Sequence, residues 1–256
     1  MFKDNSKPKE ILLKIFFIYA LDLLSFTFDY SFLYQNEKVA NVLGWIDPAY
    51  TVQFFVIGII GCVFLCKQSF KEFSGNILNP EILMLLIVNI LFVVGITQIG
   101  AFVGDYEVNW IGVLNRSIYC LIFIGITEEW IYRGFIVTQF EKVLAKRISI
   151  IVISAVLFSL MHLPSFLLHT EDISILSLGY RLLIPFLMGV AIAAIYLWKN
   201  NLFVLIVIHG VYDLIECVAF ESWYFIAYGI YWVLILGYML YCSETKIQGD
   251  RYEKQN

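Results

Sequence analysis

The chain has 256 residues, of which 61% are hydrophobic and only 15% charged, and its mean hydropathy is +0.81. A soluble domain of this length needs more charge to cover its surface, so the composition points to a polytopic membrane protein. A formal charge of −4 without a basic patch argues against a nucleic-acid partner.

In chain order, the apolar stretches long enough to cross a bilayer are residues 11–33, 49–66, 81–103, 110–135 (continuing toward Leu144), 148–163, 178–198, 202–220 and 223–242. Lys3, Lys7, Lys9 and Lys14 precede or enter the first stretch, as in a signal peptide. The stretch is nevertheless too long for one, carries Asp22 and Asp29, and lacks a small-residue cleavage site, so it reads as a retained first helix. Asp47-Pro48, Asn79-Pro80, Leu163-Pro164 and Lys199-Asn200-Asn201 carry turn chemistry and mark breaks between spans. The expected fold is all-α, a single transmembrane domain over residues 1–256 built as a bundle of about eight helices.

Charge placement supports this count. With the N-terminus inside, 14 of the 17 Lys and Arg fall on cytoplasmic segments, and only Lys38, Arg116 and Arg181 fall outside. That asymmetry predicts both termini in the cytoplasm of a multi-pass plasma-membrane protein. Tyr50, Trp110, Trp198 and Trp223, near span ends, suit an interfacial aromatic belt. Cys62, Cys66, Cys120, Cys217 and Cys242 fall mostly inside apolar runs with no CxxC pair or metal-ligand spacing, and Cys62 and Cys66, which share a helix face, read as buried apolar thiols.

Ionisable groups inside hydrocarbon are expensive and tend to face the bundle interior, so three clusters stand out. The fourth span carries Glu128-Glu129-Trp130-Ile131-Tyr132-Arg133, the fifth ends its motif at His162, and the seventh carries His209-Gly210-Val211-Tyr212-Asp213. Glu129 and Arg133 stand at i, i+4 and can pair, which lowers the cost of holding either in lipid. His209, Asp213 and Glu216 share a helix face in the same way. Glu128 and Glu129 point about 100° apart and therefore cannot play the same role. Glu128 precedes Ala145 by 17 residues and His162 follows it by 17, so an antiparallel hairpin turning near Ala145–Arg147 brings them to one height. His209, 9 residues past Asn200, starts from the same side, so the three clusters are expected to converge. Asp22 and Asp29 share a face of the first helix; with Asn89 and Gln98 they read as polar glue between helices. Glu216 reads as reaching the interface, His169 with Glu171 and Asp172 as a solvated outer loop, and Gly58, Gly61 and Gly189 as packing positions.

The motifs EEWIYRG, SAVLFSLMH and HGVYD, on three successive motif-bearing helices, resemble the CAAX protease and bacteriocin-processing family, also called the Abi family. The resemblance covers residues 112–213, taken as the catalytic core, and departs from the prenyl-protein endopeptidases in ending its third motif on Asp213 rather than Asn. It implies an intramembrane endopeptidase in which Glu128 activates water with the help of His162. It further implies that His209 and Asp213 serve the oxyanion, while Glu129 and Arg133 support the site. The implied partners are the bilayer and a membrane-associated peptide or protein, lipidated or not, with bacteriocin maturation or self-immunity as biological roles.

No cofactor is assigned. Glu128, His162 and His209 could together form a His₂Glu zinc site, but there is no HExxH and no local ligand pair. Two other functional classes compete: a non-catalytic scaffold or immunity protein of the same fold, and a proton-coupled transporter. The transporter reading lacks the repeated halves or broken helices it would favour.

Overall fold

A computed structural model describes residues 8–27, 53–65, 80–169, 173–219 and 223–253, which form helices and no strands. The helices are α1 (Pro8–Thr27), α2 (Gln53–Leu65), α3 (Pro80–Gly104), α4 (Trp110–Val143), α5 (Arg147–His169), α6 (Ile175–Lys199), α7 (Leu202–Val218) and α8 (Tyr224–Glu253). Among the described residues, five are long and apolar enough to cross a membrane: α3, α4, the Arg147–Leu168 part of α5, α6 and the Phe225–Cys242 part of α8. Residues 28–33 and 49–52 of the expected spans, Asp29, the Asp47-Pro48 break, Cys66, Glu171 and Asp172 lie outside the described residues, as does the side chain of His169.

Helix ends follow local chemistry. Pro80 opens α3, where its missing N–H costs nothing, and Asp105 at φ 50° closes it in a left-handed turn. Asn109 caps α4 by accepting from the Gly112 N–H at 3.0 Å. Ser174 and Ser177 cap α6 reciprocally, and Asn200, at φ 49°, ends it. One expectation needs correcting. The break read at Leu163-Pro164 is absent, and α5 runs through Pro164 to His169. Proline removes one backbone donor and crowds the preceding turn, but a helix in lipid keeps its remaining hydrogen bonds because nothing else can satisfy them.

The surface and interior are inverted relative to a soluble protein. Phe16, Phe102, Ile111, Ile148, Leu176 and Phe225 are largely exposed, whereas Asp22, Gln53, Glu128, Glu129, Arg133 and His209 are buried. Apolar exposure on this scale fits a lipid-facing surface, and the chain is an integral membrane protein.

The chain divides into two compact units, residues 1–75 with 122–206 and residues 76–121 with 207–256. In the first, α5 and α6 pack along their length, and α1 lies against α5, α2 and the end of α4. In the second, α8 packs on α3. Gly189 permits the α5–α6 approach, since a Cβ there would stand 3.1 Å from Ala155 Cα and 3.3 Å from Phe158 Cδ1.

Candidate active site

The site residues of the first unit lie on α4 and α5. α4 includes stretches wound with wider π-type turns on both sides of the short segment Thr127–Glu129. Such turns recur at functional sites, because they re-aim side chains that regular winding would stack. Glu128 and Glu129 are both buried.

Glu129 makes the ion pair its spacing predicts, accepting from Arg133 Nη1 at 2.8 Å with both side chains buried. The guanidinium also lies 4.4 Å above the Phe158 ring, and its Nη2 points at the Gly189 carbonyl from 3.5 Å. One cation thus bridges α4, α5 and α6. Neutralising Glu129 and facing a π-cloud offset the cost of burying the guanidinium.

The α4–α5 hairpin turns at Leu144, whose extended backbone ends α4, and α5 begins at Arg147. Tyr132 packs edge-on against Phe158, centroids 5.1 Å apart at 84°. These two residues are equally far from Ala145 in sequence. Glu128 and His162 each stand four residues further from the hairpin turn, each on its own helix. The His162 ring meets Phe158 at 5.2 Å, and its Nδ1 lies 3.0 Å from the Phe158 carbonyl. A carbonyl oxygen can only accept, so Nδ1 carries a proton. His162 is half-buried. A buried carboxylate and a histidine on the neighbouring helix are groups suited to moving a proton from water.

His209 and Asp213 belong to the second unit. His209 is buried, and its Nε2 lies 3.5 Å from Asp213 Oδ2, an electrostatic contact longer than a hydrogen bond. Gly210 sits where a Cβ would meet Leu121 Cα at 2.8 Å and the Cys120 carbonyl at 3.0 Å, so the residue after His209 must lack a side chain. Tyr231 from α8 directs its hydroxyl to Asn89 Oδ1 and to the Ile208 carbonyl, each at 2.9 Å, bracing α7 beside His209. Glu216 is exposed and accepts from Tyr228 Oη at 3.0 Å.

Residues 109–215 match the family model of Rce1-like type II CAAX prenyl endopeptidases. This segment is Rce1-like. It contains all six site residues named from the sequence, and the family it matches is one of endopeptidases. Comparison with curated proteins and with solved structures gives no match.

The polar residues the motifs did not flag are Gln53, Tyr132 and Tyr231. Gln53 is the lone amide in an apolar run and Tyr132 fills a variable position of EEWIYR, so both signals were visible but unspecific. Among the described residues, no three His, Cys, Asp or Glu side chains are gathered as metal ligands would be.

Proposed function

We propose that this protein is an intramembrane endopeptidase that hydrolyses a peptide bond in a membrane-associated peptide or lipoprotein, acting from the plasma membrane with both termini cytoplasmic. Glu128 is the general base that takes a proton from the attacking water. His162 assists through Nε2, which accepts a proton while Nδ1 stays anchored on the Phe158 carbonyl. His209 is the donor toward the developing oxyanion, and the Asp213 carboxylate orients its ring. Glu129 and Arg133 hold α4 in place and do not touch the reacting atoms.

The observation that carries this reading is that buried Glu128 and the Nδ1-anchored His162 both lie inside the segment that matches a protease family. A low-dielectric, water-poor site strengthens each such electrostatic interaction relative to bulk solvent.

The test compares membranes from cells carrying wild type or Glu128→Gln at equal expression, with quantitative proteomics of membrane-associated peptides. Hydrolysis predicts one or a few precursors that accumulate uncleaved in the variant. Identical peptide profiles, with any cellular phenotype still complemented by Glu128→Gln, would sink the catalytic reading in favour of a scaffold or immunity role.

A further inference from the structure

Asp22 lies on α1 and is fully buried, a position where a carboxylate is costly unless donors surround it. Gln53 Nε2 donates to its Oδ1 at 2.7 Å and Tyr132 Oη donates to its Oδ2 at 2.6 Å. One carboxylate therefore ties α1, α2 and α4 together. Ser25 Oγ donates to the Asp22 carbonyl at 2.7 Å, which holds the local turn of α1. Of the four residues, only Tyr132 lies within the segment that matches the protease family.

The bond on Tyr132 matters because of what the tyrosine touches next. Its hydroxyl is held by Asp22 and its ring edge by Phe158, so the side chain is fixed at both ends. Phe158 in turn meets the His162 ring at 5.2 Å and 71°, and its own carbonyl anchors His162 Nδ1. A continuous line of contacts runs from the first helix to the site histidine.

We infer that Asp22 is a positioning residue: by fixing the Tyr132 hydroxyl, it sets the orientation of the His162 ring through the Tyr132–Phe158 contact. The importance of His162 rests on the function proposed above, but the contacts that orient it do not. What the role requires is hydrogen-bond geometry. Asparagine at position 22 keeps an acceptor for Tyr132. Its amide can also donate to Gln53 Oε1, which is buried and without a hydrogen-bond partner among the described residues and so can exchange places with Nε2. Leucine fills the same volume and offers neither group. Tyr132→Phe removes the bond from the other side while keeping an aromatic ring that the hydroxyl no longer fixes.

The experiment needs no substrate. Diethylpyrocarbonate acylates an unprotonated imidazole nitrogen, and the rate at His162 and at His209 is read by peptide mass spectrometry on the full chain in detergent. The thermal midpoint is measured on the same samples. Asp22→Leu and Tyr132→Phe are expected to raise the His162 rate about threefold or more by freeing the ring. Asp22→Asn should match wild type, and His209 should keep its wild-type rate in all three. An unchanged His162 rate in folded Asp22→Leu and Tyr132→Phe overturns the inference, as does a parallel rise at His209, which would mean general loosening. If Asp22→Asn behaves like Asp22→Leu, charge rather than geometry is at work and the inference also fails. Should Asp22→Leu not fold, Tyr132→Phe decides alone. Failure of the Glu128→Gln proteomic test would leave this measurement untouched, so the two readings stand or fall separately.

Discussion

Removing one partner of the Glu129–Arg133 pair should cost far more than removing both. Both side chains are buried, and the 2.8 Å contact is the shortest route by which the guanidinium charge is offset. Arg133→Met leaves a buried carboxylate facing an apolar stem, a loss of about 3–5 kcal/mol for breaking such a pair. It also forfeits the stacking on Phe158, worth about 0.5–2 kcal/mol at a desolvated site. For a chain of this size, each kcal/mol moves the midpoint by about 2–4 °C, so a fall of about 10 °C is expected. The double variant Glu129→Gln/Arg133→Met buries no charge and should recover most of that loss. Size-exclusion thermostability in detergent reads Glu129→Gln, Arg133→Met, the double variant and wild type on one scale, and the cycle isolates the coupling. If the losses of the two single variants simply add in the double variant, the pair contributes no coupling and the account of α4 is wrong.

Gly189→Val should drive α5 and α6 apart, because its Cβ alone would already crowd Ala155 Cα at 3.1 Å; a loss of about 1–3 kcal/mol is expected as a lowered melting midpoint. Gly210→Ala meets backbone at 2.8 Å and should shift α7 locally, so it should abolish processing of any precursor found with Glu128→Gln even where the protein still purifies folded. Tyr231→Phe leaves Asn89 Oδ1 and the Ile208 carbonyl without their shared donor and should cost about 1 kcal/mol, read in the same melting assay, with Phe92 still packed on the ring.

The helices were legible because a bilayer imposes length. A segment must stay apolar for the full crossing, and the break read at Lys199-Asn200-Asn201 is where α6 ends. The Glu129–Arg133 pair was legible for a related reason, since i, i+4 spacing fixes the geometry of two side chains on one helix. Nothing comparable fixes contacts between helices. Asp22 could be read as polar glue, but its partners Gln53 and Tyr132 lie 31 and 110 positions away, and no periodicity links them. Pro164 misled for the opposite reason. A rule learned in water, where freed carbonyls are solvated, ends a helix at proline, and inside a membrane that outlet is closed.

The same reasoning explains why the Rce1-like segment is not self-sufficient. Its two halves carry buried polar groups that must find partners, and in each unit a partner comes from a helix outside residues 109–215. In the first unit, Asp22 takes the Tyr132 hydroxyl, with Gln53 completing the carboxylate. In the second, the Tyr231 hydroxyl is shared between Asn89 Oδ1 and the Ile208 carbonyl, which precedes His209. Each buried group left unpaired would cost about 1–3 kcal/mol, a large fraction of a domain's net stability. A chain that kept the motifs while changing α1, α3 or α8 would have to replace these partners with others of matching donor and acceptor sense. The helices outside the motif segment are therefore free to vary in apolar detail but constrained at Asp22, Gln53, Asn89 and Tyr231. A library that randomises lipid-facing positions such as Phe16 and Phe102 should tolerate any apolar residue, while the four polar positions should not.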